Sequence, residues 1–583
     1  MSYPRPQVAR PEVATDGFDA PRSAWADIAT SGDHKDVGRL YVGTALAFLA
    51  LALTELVLMR VQLIVPDDTI IAPELFDQLL SAYGATAVLL FGIPLVLGLI
   101  SYVVPLQIGA RGVALPRLAA LSWWLYLAGG ATIYASFLYK PSEAGTIPFP
   151  PLSDELFSAT NGVDAWIAGV GLATLGFVLF AVNLVATVRQ QRAPGMVWRR
   201  LPPFSWAAIV SGYLLLVVGP VMIAALAMLL IDRHFDGVFF DAGEGGAPIL
   251  FQHLSWVFFT GAYFLLLVPA LGAITEIVAA FSGKPVFAQR TVAASLVAIG
   301  VLGPLAWMQN MYSAPIPVGW SYFAMAVALA LVVPFGLLLL NWLGTMRGGR
   351  IRVEAPMLFA LGAISTVTIG LAAELVQSLV PVGWQLGSTA TAWGATHYAL
   401  IGGAVFGGFA ALHYWFPKLT GRVMGEGLAR LSFWTTLVGM HAMVIPMLLA
   451  GLEGQPVDVY EFFGDAGLDG YNLVSSIGAF VFAGGVVMSL ANAAYSARNG
   501  RAAGHDPWGG TTLEWFALSP PPPHNFDLVP DVRSDEPLRD IRDAVRRRTG
   551  EPAQPELAEG GAAPGSSGVP AGAGDEPDGA PVA

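Results

Sequence analysis

The sequence predicts an all-helical integral membrane protein with twelve membrane-spanning helices. The chain has 583 residues, of which 55% are hydrophobic and only 12% are charged, and its mean hydropathy is +0.60. A soluble globular protein carries about a quarter charged residues. Apolar stretches long enough to cross a bilayer recur along the chain, and basic residues concentrate in alternate loops between them.

The predicted spans are apolar stretches of about 20 residues or more, the length that crosses the hydrocarbon core as a helix. They are expected at residues 38–64, 76–104, 117–138, 164–189, 204–231, 250–281, 288–312, 319–346, 355–379, 390–415, 428–451 and 470–497. No convincing internal sequence repeat relates them, so the prediction is one continuous bundle.

The charges of the loops predict the orientation of the bundle. If the N-terminus is cytoplasmic, the outer loops carry only Lys140 and Arg233 as basic residues, beside acids such as Asp67, Asp236 and Asp465. The inner loops carry the basic residues Arg111, Arg117, Arg189, Arg192, Arg199, Arg200, Lys284, Arg290, Arg347, Arg350, Arg352, Lys418, Arg422 and Arg430. Because Lys and Arg are retained on the cytoplasmic side, both termini are predicted to be cytoplasmic and the chain to lie in the plasma membrane.

Composition divides the chain into four segments. Residues 1–33 form a polar, cytoplasmic N-terminal tail without the apolar core of a signal peptide, and residues 34–500 form the membrane domain. Residues 501–533 are predicted to be a cytoplasmic segment with a proline-rich motif, and residues 534–583 a disordered tail. Cysteine is absent, which excludes disulfides, thiolate metal sites and a cysteine nucleophile. Nothing in the sequence supports nucleic-acid binding.

Several segments between the spans are too specific for generic membrane sequence. They are Asp33-His34-Lys35, Val104 to Arg111, Arg192 to Met196, Gln252-His253-Leu254, Tyr414 to Arg422, Asp506 to Gly509, Leu513-Glu514-Trp515 and Ser519 to Phe526. In this order and spacing they resemble subunit I of the haem–copper oxidases, the cytochrome c oxidase type. The resemblance covers residues Asp33 to Phe526. It implies a twelve-helix bundle in a lipid bilayer, oxygen reduction with proton pumping, and oxidase-type partner subunits II and III.

That family holds a low-spin haem, a high-spin haem and a copper ion with histidines on its helices, because imidazole is a good ligand for both metals. By this resemblance, residues other than histidine stand at most of these ligand positions. The positions are Tyr83 and His397 for the low-spin haem, Ala395 for the high-spin haem, and Thr260, Gln309 and Asn310 for copper. Only His397 retains a histidine, so copper is not expected in this chain.

The positions that support the metals differ as well. The resemblance assigns Ala262 to the proton-shuttling glutamate, Phe264 to the active-site tyrosine, Val457 and Asp458 to the arginines that neutralise haem propionates, Gly387 and Ser388 to a magnesium site, and Gly112, Ser101, Ala119 and Leu338 to the proton channels. Tyr263 is one residue away from the tyrosine position, which turns it about 100° round the helix. Arg60 is retained where the family contacts a low-spin haem substituent.

Other polar residues in the spans have ordinary structural interpretations. His253, His413 and His441 lack partners at copper spacing. Glu276 and Glu55 are expected to be scaffold residues with polar neighbours, and Glu55 to pair with Arg60 near the surface. Glu374 lies toward the outer end of the ninth span. It is interpreted as an interface residue, with a proton or cation step as the alternative.

Three functional hypotheses remain open. The favoured one is a cofactor-poor paralogue that is not itself catalytic and serves as a structural or assembly component of a respiratory complex. It would hold no cofactor, or a single haem between His397 and Tyr83 beside Arg60. The second is a working terminal oxidase, as the family implies. The third is a repurposed ion or proton transporter, or a sensor, in which Glu374 has a role.

Overall fold

The computed structural model describes residues 31–549, and twelve helical segments dominate it. The first six are α1 (His34–Gln62), α2 (Pro73–Gln107), α3 (Pro116–Leu138), α4 (Gly162–Gln190), α5 (Pro203–His234) and α6 (Pro248–Ser282). The others are α7 (Gln289–Leu302 with Pro304–Met311), α8 (Val318–Met346), α9 (Ala355–Ser378), α10 (Ala390–Thr420), α11 (Glu426–Leu452) and α12 (Asp469–Asn499). Eleven are long and apolar enough to cross a membrane, and the bent pair α7 is the twelfth candidate. The predicted fold class is confirmed.

The bend in α7 has a local cause. Its two halves meet at 42° where Gly303 precedes Pro304, and proline cannot donate the next helical hydrogen bond. Glycine is required at the bend, because a Cβ atom on Gly303 would lie 2.4 Å from the ring of Phe264. The chain continues beyond the bend as a 3₁₀ helix, Pro304–Met311, which carries Gln309 and Asn310.

Two of the long helices change winding in their middle. A π-helical segment, Thr86–Gly92, lies within α2, and another, Gly402–Gly407, lies within α10. Such wide turns inside α-helices are common at functional sites. Both segments contribute residues to the wall of the same internal cavity, Ala87 among them from α2 and Ala404 from α10.

Small residues allow close packing of α11 against α12. A Cβ atom on Gly439 would lie 2.2 Å from the backbone nitrogen of Phe482, and one on Gly478 would lie 2.2 Å from that of Met443. Membrane helices commonly pack through glycine in this way. The hydrophobic effect does not drive two helices together in lipid, so close van der Waals contact must hold the pair.

The basic loops gather at one end of the bundle, together with the chain that follows α12. Arg200 Nη1 donates to the carbonyl of Val532 at 2.9 Å, and Arg352 Nη2 to the carbonyl of Trp508 at 2.5 Å. We call this end of the bundle the basic end. The opposite end of the bundle, which carries Asp458, is the acidic end. A short helix, Val380–Leu386, joins α9 to α10.

Two small elements cover the basic end. Strand β1 (Arg422–Val423) pairs antiparallel with β2 (Arg501–Ala502), and helix α13 spans Pro537–Thr549. The prediction of a disordered tail from residue 534 is therefore wrong for α13. Its buried Leu538 donates a backbone hydrogen bond to Thr511 at 3.1 Å, a contact that composition does not reveal. The rest of that predicted tail, residues 550–583, and residues 1–30 of the N-terminal tail lie outside the described residues.

Candidate functional site

A cavity of about 840 Å³ lies inside the bundle, with α1, α2, α6, α7, α8, α9 and α10 in its wall. The wall includes five of the six positions that the resemblance assigns to metal ligands: Tyr83, Thr260, Gln309, Asn310 and His397. The sixth, Ala395, is fully buried but is not a wall residue, and neither is Arg60. The fold thus assembles most of the predicted ligand positions around one space.

Glu374 ties the polar part of this wall together. Its Oε1 atom accepts a hydrogen bond from Thr396 Oγ1 at 2.9 Å, and its Oε2 atom accepts one from Gln309 Nε2 at 3.2 Å. A carboxyl group inside a membrane helix is costly unless polar groups surround it. Glu374 therefore links α7, α9 and α10, as expected of an interface residue, and it also faces the cavity.

The three copper-ligand positions carry hydroxyl and amide groups in place of imidazoles. Asn310 Nδ2 donates to Thr260 Oγ1 at 3.2 Å, and Gln309 is bonded to Glu374. Copper prefers imidazole, thiolate or thioether donors, and a neutral amide NH₂ group only donates. Across residues 31–549, no three His, Cys, Asp or Glu side chains cluster closely enough to hold a metal ion. The residues at these positions do not fit copper.

Tyr83 and His397 touch each other directly. His397 Nδ1 bonds to the carbonyl of Trp393 at 2.7 Å, which leaves Nε2 free to accept a hydrogen bond from the Tyr83 hydroxyl at 3.5 Å. The two atoms that would hold a haem iron, the Tyr83 hydroxyl oxygen and His397 Nε2, are therefore engaged by each other. As placed, the pair does not fit a haem iron.

The loop after α11 places an acid where the family neutralises haem propionates. Val457 and Asp458 both line the cavity. Burial, with a smaller contribution from Asp77, raises the pKa of Asp458 to about 6. An ionised carboxyl group here repels propionates instead of attracting them. Arg60 lies elsewhere, with Nη2 donating to the carbonyl of Asn472 at 3.4 Å. Val457 and Asp458 therefore do not fit the propionate groups of a haem.

Helix α6 brings aromatic rings to the wall at the family's proton-shuttle segment. Tyr263 and Phe264 line the cavity, whereas Ala262 does not. The Tyr263 hydroxyl is buried without a hydrogen-bond partner among the described residues. No wall residue of α6 is an acid, so this helix supplies an unsatisfied hydroxyl group and no carboxyl group.

The other histidines of the spans have ordinary partners. His253 Nδ1 accepts from Trp307 Nε1 at 3.2 Å, and His441 Nδ1 is hydrogen-bonded to the Tyr398 hydroxyl at 2.7 Å. His413 Nδ1 bonds to the carbonyl of Phe409 at 2.8 Å, within its own helix. These contacts agree with the structural interpretation of all three histidines.

The expected pair of Glu55 with Arg60 does not form in the described structure. Glu55 Oε1 instead accepts a hydrogen bond from the Tyr134 hydroxyl at 2.7 Å, which α3 supplies. The prediction of a polar neighbour for Glu55 is confirmed, but the predicted partner is wrong. Sequence proximity within α1 suggested Arg60, whereas Glu55 and Arg60 point to different neighbouring helices.

A second polar cluster, which we call the Gln107 network, lies at the basic end. Gln107 Nε2 donates to Glu276 Oε2 at 2.7 Å and to Glu514 Oε1 at 3.2 Å, while its Oε1 accepts from Ser205 Oγ at 2.7 Å. Burial raises the pKa of Glu514 above its usual value. The prediction that Glu276 has polar neighbours is confirmed, but its connection to Glu514 was not predicted.

Comparisons with known proteins agree with this fold. Residues 36–481 match the family model described as cytochrome c and quinol oxidase polypeptide I. A probable cytochrome c oxidase subunit 1-beta of Nocardia farcinica is 38% identical over 88% of each chain, and cytochrome c oxidase subunit 1 of Thermostichus vulcanus is 36% identical over 87% of this chain and 92% of its own.

A solved structure shares the architecture at low identity. It is described as a heme-copper terminal oxidase dimer studied by cryo-EM, and it matches with a TM-score of 0.68 at 14% identity, over 89% of this chain and 99% of that one. This match supports the fold, and the family model together with the relatives supports descent. The chain belongs to the cytochrome c and quinol oxidase polypeptide I family, and it is a multi-pass membrane protein.

Proposed function

We propose that this chain is a cofactor-poor member of its family that acts as a structural or assembly component of a respiratory complex and does not reduce oxygen itself. The observation that carries the proposal is the side chains at the copper positions. Thr260 and Asn310 bond to each other and Gln309 bonds to Glu374, so hydroxyl and amide groups stand where imidazoles would be needed.

The covering of the basic end supports a role in assembly. Trp508 Nε1 donates to the carbonyl of Tyr414 at 2.8 Å, and Trp515 Nε1 donates to the Tyr414 hydroxyl at 3.0 Å. Lys418 Nζ donates to the carbonyl of Ala517 at 2.7 Å. These contacts hold the segment after α12 in a fixed shape. The relatives are named as subunits, and this surface would dock further oxidase-type subunits such as II and III.

The location in the cell follows from charge. The basic end would face the cytoplasm, because Lys and Arg are retained on that side of a membrane. Both termini would then be cytoplasmic and the membrane would be the plasma membrane. Fusing a reporter that is active only in the cytoplasm to each terminus tests this orientation, and an inactive fusion at either end would contradict it.

A working terminal oxidase is the alternative that the family implies. It requires a low-spin haem, a high-spin haem and copper, and only one of the six ligand positions, His397, carries a histidine. One low-spin haem between His397 and Tyr83, beside Arg60, is the weaker form of this alternative. That form requires the two side chains to part from their 3.5 Å contact.

Metal analysis of the purified full-length chain distinguishes these functions. We expect substoichiometric haem in a pyridine haemochrome assay and no copper above background by mass spectrometry. A catalytic subunit I prepared in the same way serves as the control for cofactor loss during purification. Haem and copper at stoichiometric amounts would overturn the proposal, and one haem without copper would support the single-haem alternative.

A transporter is the third candidate, favoured by the position of Glu374 in a cavity wall between three helices. Proteoliposomes containing the chain should show no proton flux if the assembly role is right. A flux that Glu374→Gln abolishes would support transport instead. Glu55→Gln is the matched control, since Glu55 is also an intramembrane carboxyl group but is not a wall residue.

A further inference from the structure

We propose that the cavity binds a hydrophobic amine, a molecule with an apolar body and one protonated nitrogen, which reaches it from the bilayer. The cavity volume of about 840 Å³ falls within the range of small-molecule sites, roughly 300–1,000 Å³. This inference rests on the proposed loss of haem, because a haem would occupy the same space.

The wall suits an apolar body. Leu53, Phe91, Trp256 and Leu339 come to it from four different helices, α1, α2, α6 and α8. Burying the hydrocarbon part of a ligand against such a surface brings little gain over the lipid it leaves, so an apolar body alone gives weak preference for the site. Selectivity must therefore come from the few polar groups of the wall.

Charge in the wall selects for a cation. Glu374 and Asp458 are wall residues, and no Lys or Arg side chain is among the wall residues of the described chain. A carboxyl group buried among neutral partners is stabilised by a cation brought next to it. The same acids disfavour anionic ligands such as fatty acids. The wall therefore favours a positive head group over a negative one.

Aromatic groups in the wall complement an ammonium group. Trp393 and Tyr263 line the cavity, and indole and phenol faces attract cations in apolar surroundings. The Tyr263 hydroxyl is buried without a hydrogen-bond partner in the described part of the chain. Its oxygen would accept an N–H bond from the ligand, which satisfies a polar atom that is otherwise left unpaired.

Access from the bilayer is provided along α8. Val332 lines the cavity and is 46% exposed, and the next residue along the helix, Val333, is 64% exposed and is not a wall residue. Phe335 and Gly336, the next wall residues along the helix, are half-buried. A ligand dissolved in lipid can thus reach the wall without crossing either aqueous surface. This route favours a membrane-soluble amine over a polar one such as a free polyamine.

The test uses three photoreactive probes in nanodiscs that contain the full-length chain. All carry a diazirine on the same dodecyl chain, and their head groups are an amine, an alcohol and a carboxylate. After irradiation, peptide mass spectrometry counts the labels on wall peptides. We expect the amine to label peptides that contain Tyr263 or Glu374 about tenfold more than the alcohol, as expected for a charge-assisted hydrogen bond. The carboxylate should label them least.

Two variants make the result specific. Glu374→Gln keeps the shape of the side chain and removes its charge, so the preference for amine over alcohol should fall severalfold, to the level that Asp458 and the aromatic groups of the wall sustain. Glu55→Gln is the control, because Glu55 bonds to Tyr134 outside the wall and should leave the preference unchanged.

Three outcomes would overturn the inference. They are equal labelling by all three head groups, preference for the alcohol, which would indicate a neutral lipid, and preference for the carboxylate. If the preparation contains stoichiometric haem, the proposed function fails first. If it is free of haem and shows no preference for the amine, only the present inference fails.

Discussion

Two glutamines in the bundle show how differently its two polar clusters are built. Gln107 is fully buried and uses both ends of its amide, because it donates to Glu276 and Glu514 and accepts from Ser205. Gln309 is half-buried in a cavity wall and, among residues 31–549, donates only to Glu374. The Gln107 network is a closed part of the scaffold, whereas the cavity wall has space to rearrange.

The two clusters differ in their role: one belongs to the scaffold, and the other occupies the positions at which the family binds its metals. Two members of the Gln107 network, Gln107 and Glu514, lie in segments that the resemblance preserves, Val104 to Arg111 and Leu513-Glu514-Trp515. The cavity holds the positions where ligands are replaced. A paralogue that keeps its shape and its partners would retain the first region and tolerate change in the second.

The largest effect should come from Gln107→Leu. This change leaves the carboxyl groups of Glu276 and Glu514 without their shared donor, and losing hydrogen bonds to buried charged or polar groups costs about 3 kcal/mol or more. We expect the free energy of unfolding in mixed micelles to fall by that amount. Gln309→Leu, the matched change in the cavity wall, should cost only about 1 kcal/mol. Equal losses would remove the distinction between the two regions.

A smaller effect is expected from Lys418→Met at the basic end. Lys418 Nζ donates to the carbonyls of Ala517, His505 and Leu518 at 2.7, 3.3 and 3.4 Å. Losing these charge-assisted bonds should destabilise the covering segment by about 2 kcal/mol. Limited proteolysis should then cut within residues 503–526. The control is Lys284→Met, because the Lys284 ammonium group donates to a single carbonyl, that of Arg347, at 2.6 Å. Unchanged proteolysis would show that this segment is held by packing alone.

The sequence was sufficient for the fold but not for these clusters. Apolar stretches and alternating loop charge predicted the helices, since both follow from the bilayer. The link from Gln107 to Glu514 spans 407 positions along the chain, and no periodicity reveals such a pairing. The same limit explains the wrong partner for Glu55. Distance along the sequence favours the nearest charge, Arg60, over Tyr134, which lies 79 positions away.

The cavity was likewise only half predictable. The resemblance indicated which positions would meet, because the family arranges its ligands around one site. It did not indicate that Glu374 would join them, since no family acid corresponds to it. The contact of Tyr83 with His397 depends on side-chain rotation within α2 and α10, which the identity of the residues does not determine.

Packing density provides a third test of the comparison. A Cβ atom on Gly272 would lie 2.7 Å from that of Ala207 and 3.0 Å from Phe204 Cα, so Gly272→Ala should destabilise the region beside the Gln107 network by about 1–2 kcal/mol. On Gly336, in the cavity wall, a Cβ atom would meet nothing within 4 Å. Gly336→Ala should therefore be neutral or stabilise α8 by up to about 1 kcal/mol. Thermal unfolding compares both variants, and a costly Gly336→Ala would contradict the open wall.

The smallest effect concerns pH and the acid in the cavity wall. Burial raises the pKa of Asp458 to about 6, so its ionisation is less favourable in the folded chain than in the unfolded one. Stability should therefore fall as pH rises from about 4 to about 6 and stay level above that range. The side chain is accessible within the cavity, and solvent screening limits the loss to about 1 kcal/mol.

Asp458→Asn should remove this part of the pH dependence, as measured by unfolding midpoints between about pH 4 and pH 8. Asp465→Asn, an exposed acid on the same connection between α11 and α12, should keep the slope of the unchanged chain. If Asp458→Asn also keeps that slope, the wall is wet enough to solvate an ionised carboxyl group fully. The cavity would then differ from the Gln107 network in hydration and not only in packing, because the buried Glu514 has no comparable access to water.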